Sequence, residues 1–541
     1  MGNTKKIMAE TTDKMQTRAD LTAILSNYIN TKEISATMLK NHIKEIKKMK
    51  NQEYIAKLLF KELASSNQQY VNAVAVISLE AVSNENFEKY ALEALRDKSL
   101  SDDKKFLIIS LVKQKGLDIQ FEDMKGYMSN PEKMAQDGIE EFLKSIKNDP
   151  EAQIDLLDFY QNIPDDERVY LLNSLVNDFE GDNLANALSL IIKLDVQGEE
   201  FEIITKKLIE IDSSYAKEGL GYILEKYDLD KKLEAKVSNA LNLLKQKYKD
   251  FKNESIITNS SYHKCYISFV DGLSNFSLVV SRKNDDEIIN CALMTVNLNL
   301  GLTSCMGFGG IKQDYFEMII RRLFEDSIPV EIEPNVLKSI LEFYVNKNET
   351  TNTSIPYEYI VWKNLLNDVE VIGKDLSEYL NSKLGTININ SAKVRKMANA
   401  KIYESWYYNK EQNELISEFI DSIEEKHPTD IEEINNMVSS FINEKLLKSV
   451  EFMNEFISRL LIQAYVAYLA GLKVTSSCAY SLCFKNPHLI MFLNSIIDKS
   501  IYGYFAEVIA DEDNKFKEKI KSNYTKEEIP PLMKALEKKW V

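Results

Sequence analysis

Residues 262–310 read YHKCYISFVDGLSNFSLVVSRKNDDEIINCALMTVNLNLGLTSCMGFGG, and they interrupt a chain that otherwise patterns as helix. His263, Cys265, Ile267 and Phe269 alternate with Tyr262, Lys264, Tyr266 and Ser268, the two-residue period of a strand with one covered face. Asp271-Gly272 and Ser274-Asn275 carry turn chemistry, after which Phe276, Leu278 and Val280 alternate with Ser277 and Ser281. The polar run Lys283 to Glu287 predicts a second turn before a longer strand bearing Ala292, Met294, Val296 and Leu298. We read the stretch as a small antiparallel β-meander set between two helical regions.

Gly301, Gly307, Gly309 and Gly310 gather at its end, although the whole chain has only 17 glycines. The run GFGGIK at 307–312 has neither the GxxxxGK[ST] nor the GxGxxG spacing that makes backbone N–H groups converge on a phosphate. A tight turn returning the chain to helix is the expectation, with anion binding at the following helix as the alternative.

Upstream, from about Asp20 to Lys249, apolar residues recur at helical spacing. Leu184, Ala187, Leu188 and Ile191 form one stripe, and Leu220, Ile223, Leu224 and Tyr227 another. Asn130-Pro131, Asp149-Pro150, Pro164-Asp165, Gly181-Asp182 and Gln197-Gly198 mark breaks between helices. Each helix needs neighbours to cover its stripe, which is the logic of a solenoid. On stripes such as EEFEIITKKLIEIDSSYAKEGLGYILEKY at 199–227, the chain resembles the HEAT/armadillo-like α-helical repeat proteins. The solenoid–sheet–helical order is similar to that of bacterial HEAT-like proteins with a central module. The resemblance covers about residues 50–250; it implies stacked helix pairs and supplies no activity.

Downstream, Val336, Ile340, Leu341 and Tyr344 predict a helix, Asn346 to Ser354 a polar loop, and Tyr359 to Leu366 a further helix containing Trp362. Long helices are expected near 411–426, 430–447, 450–471 and 488–510. The expected organisation is therefore mostly α: a flexible N-terminus (1–19), an N-terminal α-solenoid of HEAT-like helix pairs (20–255), a small α+β module with the antiparallel sheet (256–372), and a C-terminal all-helical domain (373–541).

A chain of 541 residues exceeds one compact core, and its formal charge of −16 disfavours nucleic acid and anionic lipid as partners. The charge is uneven: residues 131–210 hold 19 acidic and 7 basic side chains, against 5 and 10 in residues 1–50. Five scattered cysteines make no disulfide framework and predict a reducing, cytoplasmic setting. The longest apolar run, near Leu460 to Leu472, is too short to span a bilayer, so no membrane insertion is expected.

His263, Cys265, Cys291 and Cys305 are the metal candidates, because zinc takes soft or borderline ligands and strand positions i and i+2 project alike. No CxxC knuckle accompanies them, and core packing of the thiols competes with that reading. Cys478 and Cys483 have the spacing of neither a redox pair nor a knuckle. No GxSxG elbow occurs, and His42, His263, His427 and His488 are the only imidazoles. Tyr403, Trp406, Tyr407 and Tyr408 are either stacking residues or core.

Asp155, Asp158, Asp165, Asp166 and Glu167 form the densest acidic group, as a surface for a basic partner protein or as solvated helix faces. With no complete catalytic motif, no metal set and no cofactor motif, the expected function is a non-catalytic protein–protein interaction scaffold using these five residues. The alternative is an enzyme or small-ligand module centred on 262–310.

Overall fold

The computed structural model describes residues 2–29, 35–117, 126–147, 149–249, 260–325, 327–411, 413–484, 487–510, 524 and 527–540. The protein is 67% helical, with 24 helices among the described residues, a five-stranded antiparallel sheet in the middle and helices at both ends. It divides into two compact units, residues 1–142 and 143–541, and the division falls inside the expected 20–255 run.

The first unit contains α1 (Gly2–Ser26), α2 (Ala36–Lys48), α3 (Gln52–Glu62), α4 (Gln68–Ala81), α5 (Asn84–Leu95) and α6 (Asp102–Gln114). Helix α1 starts well before Asp20, where the apolar pattern becomes legible. Packing is serial: α1 and α5 touch α3, α2 and α6 touch α4, and α5 touches α6. Ile55, Leu59, Val71, Val74, Phe87 and Ile108 supply the core.

After α7 (Pro131–Ser145) come α8 (Pro150–Asn162), α9 (Asp165–Asp178), α10 (Gly181–Ile191), α11 (Gly198–Glu210), α12 (Ala216–Lys226) and α13 (Lys231–Lys247). The helices starting at Pro131, Pro150, Asp165, Gly181 and Gly198 begin at their sequence signals. The Asp149 carboxylate caps α8 by accepting from Glu151 N at 2.9 Å, with Pro150 in the first turn. Asp230 caps α13 by accepting from Lys232 N and Leu233 N at 2.8 Å. In this series α10 packs on α8, α11 and α12, and α11 on α9, α12 and α13. No helix covers its own stripe, and burial is achieved between neighbours.

The sheet consists of β1 (Ser260–Ile267), β2 (Asn275–Asn284), β3 (Ile289–Asn297), β4 (Gly301–Ile311) and the short β5 (Val330–Glu331), in the order β4-β3-β2-β1-β5. The meander was legible; the fourth strand was not, because its glycines dilute the alternation. Asp271 Oδ1 accepts from Leu273 N and Asn275 N at 2.8 Å, which fixes the β1–β2 turn.

One sheet face carries Ile267, Leu278, Val280, Met294, Val296 and Leu302 into an apolar core that continues to Leu536. The other carries Val279, Ile289, Cys291 and Leu293 against Phe316, Ile319 and Ile320 of α14 (Gln313–Leu323). Both faces are covered over β2 and β3, while Thr303, Ser304 and Met306 of the edge strand β4 stay exposed.

Helix α15 (Pro334–Thr351) runs through Asn346, where a loop was expected to begin. The buried Asn348 holds its last turns on the sheet: its Oδ1 accepts from Leu302 N at 2.7 Å and its Nδ2 donates to Leu302 O at 2.9 Å. The side chain thus serves β4 as a neighbouring strand's backbone would. Then follow α16 (Glu358–Trp362), α17 (Leu376–Lys383), α18 (Ser391–Ala398), α19 (Glu414–Lys426), α20 (Ile431–Glu444), α21 (Val450–Leu469), α22 (Lys473–Leu482), α23 (His488–Ala510) and α24 (Ile529–Trp540). The long ones lie where the 3.6-residue pattern put them. Among the described residues no helix is long and apolar enough to cross a membrane.

Candidate functional site

The acidic group lies on α8 and α9. Ala152, Leu156, Leu157 and Tyr160 turn α8 inward, as Leu172 and Leu175 do α9, leaving Asp155, Asp158, Asp165, Asp166 and Glu167 exposed. Asp165, Asp166 and Glu167 occupy the first turn of α9, where the helix dipole favours carboxylates. Two of the five have intramolecular work. Asp158 Oδ1 accepts from the Tyr357 hydroxyl at 2.8 Å, and Asp165 pairs with Arg168 at 3.0 Å. Burial, then the bond to Asp158, pushes the Tyr357 phenol up to about 12.

Arg168 closes the α8–α9 corner. Its Nε donates to Ile163 O at 2.9 Å and Tyr160 O at 3.1 Å, and Nη2 to Gln161 O at 2.8 Å. Asp155, Asp166 and Glu167 face solvent. Among these acids two large rings also stand out, Phe159 at 56% and Tyr170 at 79% exposed. Exposed aromatics of this size beside charge are what interface anchors look like. Sequence reading missed them because it scored the acids by charge density and the helices by their inward stripes.

The His263–Cys265 face needs correcting. A β-bulge between Tyr262 and Lys264 inserts His263 as an extra residue, so positions 263 and 265 no longer share a side. Cys265 and Cys305 face the large core, while Cys291 lies in the α14 cluster. The His263 ring meets Phe316 edge-on at 5.4 Å, and burial lowers its pKa, keeping it neutral. Burial pushes the Cys265 and Cys291 thiols up to about 12, far from the thiolate a metal or nucleophile needs. Among the described residues no three His, Cys, Asp or Glu side chains gather as a metal set.

The glycine cluster is strand, not turn. A Cβ on Gly307 would stand 2.1 Å from the Trp362 ring, so that glycine exists to admit the indole. Tyr403, Trp406 and Tyr408 are core residues, and of that run only Tyr407 reaches the surface, at 40% exposed.

The chain matches no protein-family model, no curated protein and no solved structure.

Two cations of the C-terminal helices, the buried Arg459 and the half-buried Lys499, lie outside every motif. Arg459 is fully buried on α21, its guanidinium 4.0 Å over the Trp406 ring, donating to Asp271 O at 2.6 Å. Lys499 on α23 donates to Ala398 O and Tyr403 O, both at 2.8 Å. Burial holds the Lys499 ammonium down at about 8. The folded pKa is below the unfolded one, so between pH 8 and 10.5 the unfolded chain binds more protons and stability rises with pH. We expect wild-type protein to gain about 2 kcal/mol relative to Lys499→Met between pH 7.5 and 9.5. Urea unfolding of both proteins at the two pH values measures it. A wild-type-to-variant difference that does not change with pH contradicts the shift.

Proposed function

We propose that this chain is a non-catalytic interaction scaffold whose α8–α9 surface binds a basic segment of a partner protein. Asp155, Asp158, Asp165, Asp166 and Glu167 supply the field, and Phe159 and Tyr170 supply the desolvated anchors. The observation that carries the reading is the exposure of Phe159 and Tyr170 among those carboxylates. The serial packing of α8 to α13 supports treating this part as a helical repeat of the HEAT/armadillo kind, a class that binds along its surface. Five free cysteines suit a reducing cytoplasm. The alternative centred on the sheet draws little support, since both faces are covered over β2 and β3 and the nearby thiols are held protonated.

The test is affinity capture from cells that make the protein, with wild type, Asp155→Lys/Asp166→Lys/Glu167→Lys, and Phe159→Ala/Tyr170→Ala as baits. We expect one dominant basic partner with wild type, reduced at least tenfold in both variants and by raising salt from 0.05 to 0.3 M. Equal recovery on the charge-reversed bait overturns the proposal. Circular dichroism melts of the variants, all changed at exposed positions, guard against misfolding.

A further inference from the structure

The first half of α21 stands between two troughs in the C-terminal helices. Ser449 caps the helix, accepting from Phe452 N at 3.2 Å. Phe452, Phe456, Leu460 and Gln463 point inward and fix the helix in the core. That leaves two outer flanks of different chemistry.

One trough encloses about 700 Å³ and is walled by Leu447, Val450, Met453, Ile457, Leu489 and Ile490. Val450, Met453 and Ile457 fall at i, i+3 and i+7 along this flank, Met453 and Ile457 half-buried at the margin of the core and Val450 standing clear of it. Val450 is 73% exposed, and Phe484, next to the lining residue Cys483, is 56% exposed. The other trough, about 690 Å³, is polar, and Glu414, Glu451 and Glu455 line it with Lys347 as its one cation. Lys347 donates to Leu298 O, and three carboxylates against that one lining ammonium give the trough an excess of negative charge. Ser449, Asn454 and Ser458 line both troughs. These short side chains form a low divide that a lysine or arginine stem crosses.

We propose that this double trough is a docking site for an amphipathic helix of a partner protein. Its apolar stripe lies against Val450, Met453 and Ile457, and its lysines or arginines reach over the divide to Glu414 and Glu451. An apolar groove with one acidic rim selects for such a helix against a neutral or acidic one. The span from Leu447 to Ser458 corresponds to about three helical turns of ligand. The proposal is independent of the α8–α9 surface.

The probe is a fluorescein-labelled 18-residue leucine/lysine amphipathic peptide, titrated with the full chain and followed by fluorescence anisotropy. Its leucine/glutamate counterpart is the control. We expect the lysine peptide to bind at least tenfold more tightly than the glutamate one in 50 mM salt. Met453→Asp/Ile457→Asp should weaken it at least tenfold, and Glu414→Gln/Glu451→Gln about fivefold. Asp155→Lys/Asp166→Lys should leave it within twofold, which separates this site from general attraction to an acidic protein. Equal binding of the two peptides, or binding untouched by Glu414→Gln/Glu451→Gln, overturns the proposal. The glutamine variants change exposed or surface-lining carboxylates only, so they remain informative where the aspartate pair fails to fold.

Discussion

Replacing Arg459 by alanine should lower the stability of the 143–541 unit by about 3–5 kcal/mol, among the largest single effects available in this protein. The side chain is fully buried, so truncation opens a cavity under Trp406 and removes the cation from its ring face. It also withdraws the donors to Asp271 O at 2.6 Å and to the Tyr408 hydroxyl at 3.4 Å. Arg459→Met keeps most of the volume and discards a desolvated charge, so it should cost only about 1–2 kcal/mol. Urea unfolding followed by tryptophan fluorescence is the measurement, since both Trp362 and Trp406 are buried in this core. Alanine and methionine variants of equal stability would mean that packing under Trp406 is not what Arg459 provides.

The second large effect concerns glycine. A Cβ on Gly272 would lie 1.8 Å from the backbone oxygen of Ser405, which has no rotamer to yield with. Gly272→Ala therefore lifts the β1–β2 turn off the segment beneath it. Two further bonds go with that contact: Trp406 Nε1 to Val270 O at 2.9 Å, and Val270 N to Gln463 Oε1 at 2.8 Å. We expect a loss of about 3 kcal/mol. Gly307→Ala should cost a comparable amount, because the ring it meets belongs to the buried Trp362. Gly309→Ala is the control: its nearest neighbour is 3.7 Å away, ordinary contact, and the change should stay within about 0.5 kcal/mol. Thermal melts of the three variants decide it, and a Gly309→Ala as damaging as Gly307→Ala would show that the cluster has a role other than admitting Trp362.

Most of the architecture was written in periodicity. Helix starts at Pro131, Pro150, Asp165, Gly181 and Gly198 lie where proline, acid or glycine signals placed them, because capping is a local matter. The meander was visible because its faces are apolar on alternate residues. Where reading failed, the deciding partner was distant in the chain. His263 changed sides through a bulge that no residue type announces. Strand β4 was concealed because Gly307 answers to Trp362, which lies 55 positions later. Arg459 did leave a trace: it sits on the same helical stripe as Phe452, Phe456 and Leu460, a charge at a core position. The exposure of the five acids was legible from their charge, that of Phe159 and Tyr170 beside them was not, since an exposed ring looks no different in sequence from a buried one.

The turn joining β1 to β2 is completed by Trp406 and Gln463, 136 and 193 residues further on. At a synthesis rate of about 5–20 residues per second, that turn exists for about 10–40 s before Gln463 has been made. Throughout that interval the part of the core that the C-terminal helices come to cover stands open to water, the kind of oily surface chaperones hold and stalled products aggregate through. Birth order thus makes the newly made chain vulnerable at its middle, and a message truncated before codon 450 should yield a product marked for degradation rather than a smaller working protein.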